Sequence, residues 1–315
     1  MTRPPENLAD PRLRGPLARD VGGCNAILAH ARATRQRDLA ALLRFAAGRR
    51  LGRQRDVHVA APAHAAAAAD PAFLPKRDLR PDSGGRLLAR SALTDHQLRL
   101  MLTRPPGFQY RPGQHVKMGV PGLLRNYSLV SAPHQDHLEF FVELFEGGRL
   151  SDQLRTLSPG TAMALGGRAR GDLRVDEQRA NQLLIATVTG IAPYVSFVRD
   201  HLHRVGTRGG RRFIVLHGAS HADELGYADE LSRLADRHPQ VLVYLPTVSR
   251  PESPRNTGWR GAHGRVEAHA GPLTSRLGLT PQDTAVFACG NSGMVRNMAG
   301  EFRRRGFTTR TESFD

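Results

Sequence analysis

The chain is predicted to be a two-domain α+β protein, with an antiparallel β-barrel over residues 85–178 followed by an α/β parallel-sheet domain over residues 179–315. Three observations carry this. Between residues 86 and 165 the apolar residues fall in short alternating runs, punctuated by Pro105-Pro106-Gly107 and Arg111-Pro112-Gly113, which is the pattern of half-buried strands joined by turns. From residue 180 onward, apolar runs of strand length alternate with stretches of helical periodicity, as expected of a parallel sheet covered by helices. A length of 315 residues is enough for two cores.

In order, barrel strands are predicted over 86–93, 96–103, 114–120, 125–131, 137–145 and 162–165. The second domain is predicted to hold strands over 183–186, 213–216, 241–245 and 286–288, with helices over 193–204, 221–237 and 293–305. Residues 1–84 are read as a basic extension. Within residues 1–80 there are 15 basic and 7 acidic side chains, and the Ala-rich run 60–69 reads as a linker.

Composition narrows the function. The formal charge is +16, yet of 45 basic residues only Lys76 and Lys117 are lysine, and no basic run is interleaved with aromatics. A single-strand nucleic-acid binder needs that interleaving, so no nucleic-acid partner is expected. A basic surface favours an acidic macromolecular partner. Two cysteines, Cys24 and Cys289, cannot supply a disulfide scaffold or a four-thiolate cluster, so redox chemistry in this chain depends on an organic cofactor. The segment Met1-Thr2-Arg3-Pro4-Pro5 has no apolar signal core, and no apolar run reaches the roughly 18 residues of a span. A cytoplasmic protein without membrane contact is the expectation.

Five short stretches carry chemistry. Arg125-Asn126-Tyr127-Ser128 lies in a predicted strand; there a guanidinium can clamp a diphosphate through paired hydrogen bonds and a phenol can lie on a planar ring. Gly147-Gly148-Arg149-Leu150-Ser151 opens a helix, whose unpaired first amides attract phosphate; Ser151 alternatively caps that helix. Thr187 to Pro193 joins a strand to a helix, with proline where its missing amide costs nothing. Ser249-Arg250-Pro251 ends a strand at the sheet edge where α/β folds bind ligands. Cys289-Gly290-Asn291 follows the apolar run 285–288, and Gly290 permits close backbone approach.

These five stretches, in this order, resemble the ferredoxin–NADP reductase superfamily of flavin and nicotinamide oxidoreductases, over roughly residues 85 to 315. The resemblance implies an FAD-binding barrel and an NAD(P)-binding sheet domain. It implies that Arg125, Asn126, Tyr127, Ser128, Gly148, Leu150 and Ser151 hold FAD. It also implies that Thr189, Gly190, Ile191, Ala192 and Pro193 receive the nicotinamide cofactor, with Cys289, Gly290 and Asn291 beside the nicotinamide. Ser249, Arg250 and Arg255, with Arg260 as a further candidate, are implied to hold the 2′-phosphate of NADP, with NAD the alternative. Ser128, Cys289 and Glu312 are the implied catalytic positions, and Phe314 either stacks on the flavin or belongs to a disordered end.

The chain departs from the family at three places. Val188 stands where relatives carry glycine; if positive φ is required there, a β-branched residue is strained by about 1–3 kcal/mol. Leu173 replaces an aromatic near the flavin tail. Near the N-terminus, Gly22-Gly23-Cys24 and residues 51–59 resemble the cluster loop and final strand of a plant-type ferredoxin domain that has lost its thiolates; residues 1–84 are therefore an extension or a degenerate ferredoxin-like segment with a linker. The function implied is hydride transfer from NADPH to FAD, with electrons passed to an acidic carrier such as ferredoxin or flavodoxin. The alternatives are the NADH-dependent reductase component of an oxygenase, or a flavin-binding or nucleotide-binding sensor or scaffold without turnover.

Overall fold

The computed structural model describes residues 84–314. The expected N-terminal extension or ferredoxin-like segment, including Cys24, lies outside the described residues. No helix among the described residues is long and apolar enough to cross a membrane.

The first half is a six-stranded antiparallel sheet: β1 (Gly85–Thr94), β2 (Gln97–Thr103), β3 (His115–Val120), β4 (Leu123–Ser128), β5 (His137–Glu143) and β6 (Ala162–Leu165), with helix α1 (Arg149–Thr156) between the last two. The strands lie in the order β4-β3-β6-β1-β2-β5. An antiparallel bridge between Leu129 and Phe140 joins the two ends of that order and closes the barrel. Closure matters because a free edge exposes unpaired amides and carbonyls. Side chains such as Leu100, Leu102, Met118, Leu129, Leu138 and Phe140 fill the interior with almost no exposure.

β4 ends at Ser128, three residues before the predicted limit, because the chain changes partners there. Ser128 still pairs with His115 on β3, whereas Val130 already donates its amide to the carbonyl of Glu139 on β5. The motif Arg125 to Ser128 therefore sits just before the crossing that shuts the barrel.

The second half is a parallel sheet of β7 (Asn181–Thr187), β8 (Arg212–Ala219), β9 (Leu242–Val248), β10 (Ala262–His263), β11 (Thr284–Asn291) and β12 (Thr308–Phe314). Its helices are α2 (Ala192–Arg204), α3 (Ala228–Arg237), α4 (Val266–Arg276) and α5 (Ser292–Arg304). The order β10-β9-β8-β7-β11-β12 reverses between β7 and β11. Such a reversal opens a crevice at the carboxyl ends of the strands. The buried runs of β7, β8 and β11 are mostly apolar, as strands covered on both faces require, with Gln182, His217 and Thr284 as buried polar exceptions.

Several elements differ from the sequence expectation, the two-residue β10 among them. The helix predicted over 221–237 is broken: Tyr227 is left-handed at φ 65°, and a Cβ on Gly226 would strike the ring of Phe141, so the chain makes a short 3-10 turn at Ala222–Glu224 before α3 begins. α4 was not expected, and it forms with Pro272 inside it. β12 was not expected either; its sequence is mostly polar, and parallel pairing with β11 organises it.

The two halves are fastened by buried polar contacts. Arg199 on α2 binds Glu230 on α3 at 2.7 Å and also Glu139 on β5, while the Tyr227 hydroxyl donates to Glu139 at 3.0 Å. Burial alone lowers the Arg199 pKa, but the two carboxylates outweigh it and hold the guanidinium charged. Ser196 donates to the carbonyl of Ser131 at 2.7 Å. A charge network like this costs several kcal/mol to break on one side only, so the cleft between the halves keeps a defined width.

Candidate functional site

β4 carries Arg125, Asn126, Tyr127 and Ser128, and all four border one cleft of about 880 Å³. Strand alternation alone would send the two pairs to opposite faces. Both pairs nevertheless border the cleft, at the end of β4 just before the Leu129–Phe140 bridge closes the barrel. Arg125 is exposed; its guanidinium donates to the Leu124 carbonyl at 2.9 Å and pairs with no carboxylate among the described residues. Burial pushes the Tyr127 phenol up to about 12, with Arg125 opposing, so it remains a neutral donor. Ser128 is buried and its Oγ has no hydrogen-bond partner among the described residues.

The N-terminus of α1 meets the same cleft through Gly148, Arg149, Leu150 and Ser151. Gly148 is the N-cap and no side chain caps the helix. Ser151 does not bond its own helix start; its Oγ accepts the Phe145 amide at 3.0 Å and braces the preceding loop. The helix start that borders the cleft thus keeps its first-turn amides free of a side-chain cap, at the positive end of the helix dipole.

From the sheet, the carboxyl ends at the switch point contribute Thr187, Val188, Thr189, Ala192, Gly290, Asn291 and Phe314. Val188 is left-handed at φ 46°, the conformation glycine would favour at this position. Its side chain packs on the cluster of Ala219, Leu225 and Val248. The Thr187 hydroxyl accepts the Asn291 amide at 2.9 Å. Asn291 also caps α5, accepting the Met294 amide at 3.2 Å. Phe314 stands opposite Asn291 in the parallel register, ordered by β12.

Several expected residues are placed elsewhere. Gly190, Ile191 and Pro193 are buried beneath the turn and do not line the cleft; a Cβ on Gly190 would overlap the Cys289 carbonyl. Cys289 is enclosed in the core, and burial, then the charge of Glu312, raises its thiol well above the ordinary range. Its burial therefore favours the neutral thiol. Glu312 turns to the barrel and pairs with His115 at 2.8 Å. Ser249 borders the cleft, whereas Arg250 is exposed outside it and Arg255 is held by Asp223 at 2.8 Å and Glu224 at 3.3 Å.

The cleft also holds residues that the sequence did not single out: Phe141, Glu143, Phe145, Arg265, Glu267 and Met294. Phe145 is 60% exposed, unusual for a phenylalanine. Arg265 is the N-cap of α4 and faces the same opening as Ser220 and Ser249. Burial, then the neighbouring Glu224, raises the Glu143 carboxyl above the usual range, with His96 opposing.

Comparison with known proteins decides the family. An oxidoreductase FAD-binding domain model matches residues 93–172, and an oxidoreductase NAD-binding domain model matches residues 184–299. Ferredoxin–NADP reductase A of Sorangium cellulosum is 32% identical over 234 residues, covering 68% of this chain and 80% of that protein. The chain belongs to the ferredoxin–NADP reductase superfamily. The Pseudomonas aeruginosa ferredoxin–NADP reductase is 30% identical over 226 residues, 67% of this chain and 84% of that relative. The fold of this reductase also matches the crystal structure of a ferredoxin NADP+ reductase from Neisseria gonorrhoeae with bound FAD and NADP, at a TM-score of 0.63 and 23% identity, over 73% of this chain and 97% of that one.

As a member of this superfamily the protein is an NAD(P)H-dependent flavoprotein reductase with FAD and a nicotinamide dinucleotide as cofactors. The residues present fit the flavin: the partnerless Ser128 hydroxyl is an orphan that a ligand acceptor or donor would satisfy, and the uncapped α1 start offers amides to a diphosphate.

Proposed function

We propose that this reductase takes electrons from NADPH through FAD and delivers them to a separate acidic carrier protein such as a ferredoxin or flavodoxin. The observation that carries this reading is the convergence, in one cleft, of the orphan Ser128 hydroxyl from the barrel with Thr189, Asn291 and Phe314 from the sheet's switch point. The chemistry FAD supplies when bound is acceptance of a hydride and release of electrons one at a time.

The protein's part is binding, orientation and exclusion of water. Arg125 supplies a guanidinium for a diphosphate, and the α1 amides of Leu150 and Ser151 supply donors beside it. Tyr127 offers a ring face and a proton that stays on its oxygen. Ser128 offers a hydroxyl whose direction is set by its burial. On the sheet side Thr189 and Asn291 present polar groups, and Phe314 lines the same cleft. The Arg199 network keeps those two halves at a fixed spacing, which is how a scaffold converts binding into orientation.

NADPH is favoured over NADH by Arg265, which borders the cleft with Ser220 and Ser249, where a 2′-phosphate would add charge-assisted hydrogen bonds. The acidic carrier is favoured by the chain's +16 charge, and two cysteines leave no four-thiolate cluster in the chain itself. The second reading is an NADH-dependent reductase component of an oxygenase. It is favoured by Arg255 being occupied by Asp223 and Glu224. A relative from the naphthalene 1,2-dioxygenase system of Pseudomonas putida is 27% identical over 208 residues. Steady-state KM values for NADPH and NADH separate the two: a KM for NADPH equal to or above that for NADH would favour the second.

A further inference from the structure

His217 is fully buried on β8, and its two ring nitrogens are both engaged. Nε2 lies 3.0 Å from the carbonyl oxygen of Val188, and Nδ1 lies 3.0 Å from the hydroxyl of Tyr244 on β9. A carbonyl only accepts, so Nε2 carries the proton and Nδ1 accepts from Tyr244. Burial keeps the ring neutral down to about 4, with the Val188 carbonyl opposing. The tautomer is therefore set by a relay running Tyr244 to His217 to Val188.

Val188 is the residue that needs holding. Left-handed φ on a β-branched residue costs about 1–3 kcal/mol and persists only where the surroundings over-determine it. Two restraints act on it: the His217 hydrogen bond on the carbonyl, and packing of the side chain on Ala219, Leu225 and Val248. The next two residues, Thr189 and Gly190, follow the orientation of that peptide.

We infer that His217 is a positioning residue for nicotinamide nucleotide binding: it pins the Val188 carbonyl, so that the Val188–Ile191 turn presents Thr189 to the cleft although valine replaces the glycine that would adopt this turn unaided. The inference rests on the proposed nucleotide reading of that turn. It predicts a coupling that ordinary packing does not, since glycine at 188 removes the need for the pin.

The test is binding of NADP+ to the flavin-loaded protein, with amide hydrogen exchange at Thr189 and Gly190 in the absence of nucleotide. His217→Phe should weaken binding about tenfold, equivalent to roughly 1.4 kcal/mol, and speed exchange at both amides. The same change made in Val188→Gly protein should cost less than about threefold. Equal losses in both backgrounds, or unchanged binding and exchange in His217→Phe, would overturn the inference. Should His217→Phe not fold, Tyr244→Phe removes the donor that fixes the tautomer. It should then weaken binding about threefold, and no change would likewise overturn the relay. Wild-type protein that binds no nicotinamide nucleotide would refute the proposed function instead, and the exchange rates would still decide the pin.

Discussion

The hydroxyl of Thr187 accepts the amide of Asn291 at 2.9 Å, tying the end of β7 to the end of β11 across the point where the strand order reverses. The contact is close because Gly290 stands between them at φ 125°; a Cβ there would overlap the Thr187 side chain and lie 2.8 Å from its carbonyl oxygen. Gly190 approaches the Cys289 carbonyl in the same way from the other side. The floor of the nucleotide half is thus two interlocked strand ends.

Gly290→Ala tests that interlock. The new methyl meets both forbidden φ and backbone atoms that cannot move aside, so the variant should lose at least about 2 kcal/mol of stability. Urea midpoints measure it, and a midpoint equal to that of wild type would show that the two strand ends are not locked.

Arg125→Ala removes the guanidinium that no described carboxylate neutralises. Hydrogen bonds to charged groups contribute about 1.5–3 kcal/mol, so FAD affinity should fall at least about tenfold. Flavin content after gel filtration, by absorbance, is the readout; full occupancy would remove Arg125 from the flavin site.

Arg265→Ala should raise the KM for NADPH about tenfold or more while leaving that for NADH nearly unchanged, since only the former carries the phosphate this side chain is proposed to meet. A parallel rise for both nucleotides would assign Arg265 a general role in holding the start of α4.

Glu143 gives a pH prediction. Burial, then Glu224, raises its folded-state pKa above the ordinary glutamate value of 4.5. The folded state therefore binds a proton more readily than the unfolded state. The stability this contributes is fully present below 4.5 and is lost as pH rises through the raised value. Glu143→Gln should thus stabilise the protein at pH 7 and do little at pH 4; a larger gain at pH 4 would contradict the burial of this carboxyl.

How far the sequence reveals this molecule depends on which distances are local. The strand 162–165 is legible from four residues, and Arg125 to Ser128 from its neighbours in one strand. The positive φ of Val188 is only a condition raised by the resemblance, since relatives carry glycine there, and the structure supplies the angle itself. β12 is not legible: Thr308 to Phe314 has no apolar alternation, and only pairing with β11 makes it a strand. Arg255 is a reasonable phosphate ligand on spacing alone, yet Asp223, thirty-two positions away, already occupies it. Arg265 and Glu143 belong to the cleft only through tertiary packing, so no local pattern marks them. Cys289 and Glu312 share one register position on adjacent strands, but the thiol faces the core and the carboxylate faces His115.

Hydride transfer across this cleft is open to one direct measurement: the visible spectrum of the purified, flavin-loaded protein before and after addition of NADPH or NADH without oxygen. It predicts two flavin bands that bleach rapidly with NADPH and more slowly with NADH. Bound flavin that neither nucleotide bleaches would contradict it, and would mean that the two halves of the cleft hold their ligands without bringing them together.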